Sequence, residues 1–286
     1  MSSWNEGEYQ LYRACKYGNV EEVKQLLKNY PHINTNCKSR WGETPFFISC
    51  DEGQLEVVKL LLTEKRVEVN KTKDPRVTPF YIACWNGHIE IVKLLLNDER
   101  VDVNQANNYG WTPFFIACFY GYVEIVKLLL NDRRVDVNKA ENNGRTPFFV
   151  ACNYGFIEVV EAILASGREI DFNAKDHDGK IAITIAREEK EKGQWESEEK
   201  FQKRKRDCPK IVEILESFNR NPDDIRYKLR IKLGIAGKNS LFFFFFNYNC
   251  TNFLIHFSFS TLDTFAVSLF TLIVLLSDDY FKLKNH

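Results

Sequence analysis

The chain has 286 residues, 44% of them hydrophobic and 27% charged, with Lys plus Arg and Asp plus Glu equal at 39 each. That length and apolar content suffice for a sizeable core. A neutral balance argues against a phosphate-backbone partner, so no nucleic acid is expected. Residues 1–10 are polar and acidic, without the apolar stretch of a secretory signal.

In chain order, the first regular pattern is Arg13-Ala14-Cys15-Lys16-Tyr17-Gly18, which returns as Val150-Ala151-Cys152-Asn153-Tyr154-Gly155. Between them, Thr-Pro-aromatic-aromatic tetrapeptides start at Thr44, Thr78, Thr112 and Thr146, a constant spacing of 34 residues. Each runs on to Ile or Val, a small residue, Cys, two variable residues and Gly. Thr is a good N-cap and Pro suits the first helical position, so each tetrapeptide opens a helix. Gly53, Gly87, Gly121 and Gly155 stop it. A strongly apolar stretch follows, such as Ile89-Glu90-Ile91-Val92-Lys93-Leu94-Leu95-Leu96. It predicts a second helix that neighbours must cover on more than one side, with Leu94 and Leu128 as core positions. Val101-Asp102-Val103-Asn104 and its equivalents then lead into a turn rich in Asn, Asp and Gly. One such unit cannot bury its own apolar faces, whereas a stack of them can.

The period and the Thr-Pro signature resemble the ankyrin repeat. The family implies an all-α solenoid: a right-handed stack of helix-turn-helix units with short β-hairpin arms. Repeats are expected near 9–41, 42–75, 76–109, 110–143 and 144–178, after an N-terminal tail of residues 1–8. A degenerate capping repeat is expected over 179–218. The units are one residue longer than the family's common length, and the extra residue is placed near Asn97-Asp98-Glu99-Arg100. Two departures stand out. The family's His that hydrogen-bonds between neighbouring units is Phe47, Tyr81, Phe115 or Phe149 here, so aromatic packing is expected to replace part of that stitching. The turn at Asp74-Pro75-Arg76 lacks the glycine found at Gly42, Gly110, Gly144 and Gly179.

Beyond the clear repeats, residues 187–206 are crowded with Glu, Lys and Arg. They read as an insertion before an amphipathic outer helix over 209–218. Lys203-Arg204-Lys205-Arg206 reads as a solvated helix face rather than a nuclear import signal. Asn221-Pro222-Asp223-Asp224 then starts a C-terminal helix within 219–236 that stops near Gly234. For the apolar tail 237–286, two readings stand side by side. One is a membrane anchor, although His256 and Asp263 lie within it. The other is a translated intron over 238–262, because Gly237-Lys238 permits the codons GGT-AAG, which contain a splice-donor GTAAG. On that second reading Asp263 caps an apolar helix over 264–276, too short to span a bilayer.

No His pair, CxxC spacing, phosphate loop or nucleophile motif is present, so neither enzymatic activity, a metal nor a cofactor is expected. Cys15, Cys50, Cys84, Cys118 and Cys152 recur with the repeat and read as small, buried, reduced side chains. A cytoplasmic monomer is expected, or a membrane-associated protein if the tail is an anchor. The resemblance implies a partner protein on a concave surface of inner helices and hairpin tips. Carried over by position, the residues flanking each helix-ending glycine face that groove: Asp51, Glu52 and Gln54, Trp85, Asn86 and His88, Phe119, Tyr120 and Tyr122, Asn153, Tyr154 and Phe156. Hairpin tips add Arg40, Trp41, Glu43, Asn107, Asn108, Tyr109, Trp111, Asn142, Asn143 and Arg145. The expected partner-binding set is Trp41, Trp85, Tyr109, Trp111, Phe119, Tyr120, Tyr122, Arg145, Tyr154 and Phe156.

Overall fold

The computed structural model describes residues 5–73, 76–188, 191–193 and 196–235. Thr44, Thr78, Thr112 and Thr146 each accept a hydrogen bond from the backbone N–H three residues on, at 3.0 to 3.2 Å. With Pro at the first helical position, these caps start four of the helices. The helices pair as α1 (Glu6–Lys16) with α2 (Val20–Asn29), α3 (Pro45–Asp51) with α4 (Leu55–Thr63), and α5 (Pro79–Asn86) with α6 (Ile89–Leu96). Then come α7 (Pro113–Tyr120) with α8 (Val123–Asn131), α9 (Pro147–Asn153) with α10 (Ile157–Ala165), and α11 (Ala182–Arg187) with α12 (Glu198–Arg220). A last helix, α13 (Pro222–Lys232), follows.

The odd-numbered helices α1 to α11 stack on one another as an inner layer, and α2 to α12 as an outer one. Most are too short to hold together alone, so their stability comes from the packing between layers. Phe46, Phe80, Phe114 and Phe148 are at most 2% exposed, and Leu61, Leu95 and Leu129 are fully buried. The core therefore runs continuously through the stack. Among the described residues no strand forms. The hairpins close through single backbone bonds such as Asn107 N–H to the Trp111 carbonyl (3.1 Å), with one isolated bridge between Lys73 and Val77.

Four sequence expectations change here. The first helix starts at Glu6 rather than near Tyr9, because Asn5 and Glu8 form a capping box that replaces Thr-Pro. Leu94 and Leu128 are only half-buried, and the next residues, Leu95 and Leu129, point into the core. The terminal outer helix starts at Glu198, capped by Ser197, and passes through Pro209. Pro209 is exposed, so the turn with the missing N–H faces solvent. Finally, the basic quartet is not uniformly solvated. The Arg204 side chain is 11% exposed, and its guanidinium donates to Glu196 (2.6 Å) and to the Glu191 carbonyl (2.8 Å).

Stitching between units is polar and periodic, but it has moved away from the family's usual His. Arg100 and Arg134 each pair with an aspartate two residues back and donate to a carbonyl at the end of the preceding outer helix, Leu62 (3.0 Å) and Leu96 (2.7 Å). Arg66 and Arg168 make the equivalent reach to Pro31 and Leu130. Each bond satisfies a carbonyl in a terminal turn or just beyond it. Alongside runs an asparagine ladder. Asn70 donates to the Arg100 carbonyl (2.6 Å) and accepts from Asp102 N–H (2.9 Å), while Asn104 does the same with Arg134 and Asp136 (2.6 and 2.8 Å).

The array ends by a change of side chains on α10. Lys59-Leu60, Lys93-Leu94 and Lys127-Leu128 of the earlier outer helices become Glu161-Ala162. Ala162 leaves room for α13, and the buried Glu161 carboxylate accepts both its hydrogen bonds from Lys232 of that helix, at 2.6 and 2.8 Å. Asn221 caps α13, and Gly234 follows it in the left-handed conformation. The chain divides after Leu233, and the readings of 238–262 and 264–276 lie outside the described residues. Among the described residues no helix is long and apolar enough to cross a membrane.

The packing distinguishes two adjacent leucines. Leu95→Ala is expected to destabilise by about 2–5 kcal/mol and Leu94→Ala by clearly less. Urea unfolding of both variants measures this, and a larger loss for Leu94→Ala would place the core on the wrong face. Arg76 supplies a second test. It takes φ 65° where the other turns have glycine, such as Gly110 at φ 78°. Left-handed backbone costs a side-chain-bearing residue roughly 1–2 kcal/mol, offset in part by glycine's unfolded-state entropy. Arg76→Gly should therefore raise stability by about 0.5–1 kcal/mol, seen as a higher urea midpoint.

Candidate partner-binding surface

The C-terminal ends of α5, α7 and α9 place aromatic side chains side by side. Trp85 lies 6.4 Å from Trp111 and 5.6 Å from Tyr120, ring centre to ring centre. Trp111 stacks on Phe119 at 5.2 Å, and Phe119 meets Tyr154 edge-on at 5.0 Å. Tyr109 leans on Trp111 at 5.9 Å, Tyr120 stacks on Tyr122 at 5.6 Å, and Tyr154 on Phe156 at 6.1 Å. Eight of the ten expected side chains thus form one continuous surface across three units. Tyr109 is 62% exposed and Tyr120 37%, and the other six are half-buried.

The remaining two sit apart in kind or in place. Trp41 is exposed on the second unit's hairpin, with the Arg40 guanidinium 3.9 Å over its ring. Arg145 occupies the hairpin position of Trp111 one unit later, where its Nε donates to the buried Glu141 carboxylate at 2.8 Å. Two side chains missing from the expected set support the surface from beneath. Tyr81 touches Trp85 at 5.9 Å and Phe115 stacks on Trp111 at 5.6 Å. Their signal was visible as the aromatics standing where the family has His.

Residues just after each glycine pack between units. Glycine at φ 71° lets Phe156 pack onto Gly121, where an added Cβ would meet the ring at 2.7 Å. His88 covers Gly53 in the same way and bonds the Asp51 carbonyl at 2.9 Å. Tyr122 and Gln54 take the equivalent places over Gly87 and Gly18. These four side chains are therefore inter-unit packing groups with one edge on the surface.

Glu43 and Asn107, expected at exposed hairpin tips, are instead 7% exposed. Asn107 donates to the Tyr81 hydroxyl at 3.2 Å. Glu43 accepts from the Tyr12 hydroxyl, Ser39 and Lys73, the last at 2.6 Å. Tyr12 and Tyr81 stand at the family's His position, so the polar stitch survives wherever the aromatic carries a hydroxyl. Burial works against the Glu43 carboxylate, but hydrogen bonds from Lys73 and Tyr12 outweigh it and hold its pKa below the usual 4.5. Burial, then the bond to Glu43, pushes the Tyr12 hydroxyl up.

Cys15, Cys50, Cys84, Cys118 and Cys152 are fully buried and form no disulfide, and burial pushes the thiols of Cys15, Cys50, Cys84 and Cys118 above the ordinary range. Among the described residues, no group of three or more His, Cys, Asp or Glu is placed to share a metal ion.

A two-layer stack of helix pairs, stitched at a fixed interval and carrying an aromatic inner face, defines a helical-repeat solenoid. The chain belongs to the ankyrin-repeat family: the family model "Ankyrin repeats (3 copies)" matches residues 2–73 and 80–176. That family consists generally of protein-interaction modules and is typically non-enzymatic. No curated protein matches the chain.

The Glu43 site has a pH signature. Its lowered folded pKa contributes stability that is present at neutral pH and lost as pH falls through that value. Glu43→Gln should lower the melting temperature at about pH 7, with the gap to the natural chain narrowing near about pH 3.5. Thermal melts at both pH values measure it, and a constant gap would show that the carboxylate charge contributes nothing.

Proposed function

We propose that this chain is a non-catalytic adaptor that binds another protein along the aromatic inner-helix face of its third to fifth units. The observation that carries this reading is the unbroken ring-to-ring path from Trp85 through Trp111 and Phe119 to Tyr154. Burial of the inner core does not require Tyr109 and Tyr120, which remain exposed. An exposed aromatic patch of this extent marks an interaction site on a folded protein. Trp, Tyr and Arg, its principal residues, dominate binding hot spots.

Trp41 with Arg40 extends the reading to a second, separate contact on the first half of the array. The balanced net charge supports a protein rather than a nucleic-acid partner. Cytoplasmic localisation belongs to the same reading, supported by seven buried cysteines among the described residues that form no disulfide.

The test is affinity capture with the full-length chain, followed by calorimetric titration of the purified partner. Alanine at Trp85, Trp111 and Tyr120 together should weaken that partner by at least about tenfold while helical circular dichroism stays unchanged. Undiminished affinity in the folded triple variant would move the binding site off this face.

A further inference from the structure

The partner's chemistry can be taken further, on the basis that the aromatic face is the binding site. The inner helices stack as layers, and packed helices lie about 8–10 Å apart. Each layer of the central three adds aromatic rings to the face. A polyproline II segment advances about 9 Å per three-residue turn. One turn of such a segment therefore matches one unit of the array, and each turn finds a new set of rings. Trp111 and Phe119, both half-buried, lie within 30° of parallel to each other and to the buried Phe115 on which they stack, a shared floor of flat rings.

Hydrogen bonding on this face suits the same occupant. The indole N–H of Trp85 and of Trp111 and the hydroxyls of Tyr109 and Tyr120 make no hydrogen bond within the described residues, and none is sealed from solvent. A polyproline II backbone has no internal hydrogen bonds and offers its carbonyls outward, so donors on a flat aromatic floor are what it lacks.

Charge decides between this occupant and a cation held by the rings. Tyr120 is raised by burial and then by Tyr122 and Tyr154, with no carboxylate acting on it. Tyr154, at the far end, is raised by burial; Arg145 and Arg204 lower it, and Glu196, the ion-pair partner of Arg204, raises it. A ligand cation would meet no acid at the centre of the face. Arg145 uses Nε on Glu141, and both of its terminal nitrogens are without a hydrogen bond within the described residues. That is a free fork for a carboxylate.

We propose that the face takes a proline-rich segment in the polyproline II conformation, with an acidic residue at the end that reaches Arg145.

The test uses the full-length chain and fluorescence anisotropy with three synthetic probes. One is a proline-rich peptide with aspartates at one end, the second carries asparagines there, and the third replaces the prolines by alanine. The acidic proline peptide should bind saturably, and Trp111→Ala should weaken it at least about tenfold. The alanine peptide should bind at least about tenfold more weakly. The asparagine peptide should bind more weakly than the acidic one to the natural chain, and equally to Arg145→Gln. The comparison between the two peptides holds on the unaltered protein, so it stands even if Arg145→Gln disturbs Glu141. Equal or tighter binding of the alanine peptide overturns the proposal, as does no saturable binding of the acidic proline peptide. So does an asparagine peptide that binds the natural chain as well as the acidic one. In each of those cases a natural partner that still fails to bind the Trp85, Trp111 and Tyr120 triple variant leaves the face as the site and rejects only this occupant.

Discussion

A short helix ends with carbonyls that have no partner of their own, and in this chain the next unit supplies one. Arg100 and Arg134 each reach back across a unit boundary to the end of the preceding outer helix, anchored by Asp98 and Asp132. The hydrogen bond to its arginine, outweighing the cost of burial, holds each aspartate below its ordinary pKa. The asparagine ladder runs beside them. Helices of eight or nine residues, marginal alone, become parts of a continuous body because their ends are closed by neighbours. The core of Phe80, Phe114 and Leu95 can then stay dry, and the inner face is free to carry rings that the core does not need.

The repeating part of this arrangement was legible in the residues. Thr-Pro predicted the helix starts, the glycines their ends, and the 34-residue spacing the stack. What escaped was set by contact rather than by pattern. Leu94 and Leu95 are equally apolar, and only the angle between the layers decides which is buried. Glu43 and Asn107 look like ordinary turn residues until Tyr12 and Tyr81 are placed beside them. Pro209 reads as a helix start, yet Ser197 caps the helix earlier and solvent takes up the lost bond.

The aromatic face was legible in part for the same reason. Trp85, Phe119 and Tyr120 hold positions that the family resemblance assigns to the groove, and the rings do meet. Tyr122 and Phe156 also serve as lids over the glycine of the unit before, a duty visible only once the close approach is seen. A residue with two duties is a poor choice for separating binding from stability, whereas Tyr109, Tyr120 and Trp85 are better ones.

The outer and inner edges of the stack follow different rules. Along the outer edge the same chemistry recurs at each junction: arginine to carbonyl, asparagine to backbone. Along the inner edge each junction is individual, with Tyr12 on Glu43 and Asn107 on Tyr81. Duplication or loss of a whole middle unit would therefore leave the spine uninterrupted while resetting the surface opposite it. The fifth unit is different, because Glu161 and Ala162 are matched to α13 alone. Such a chain can change what it recognises by copying and losing inner units, with its end held constant.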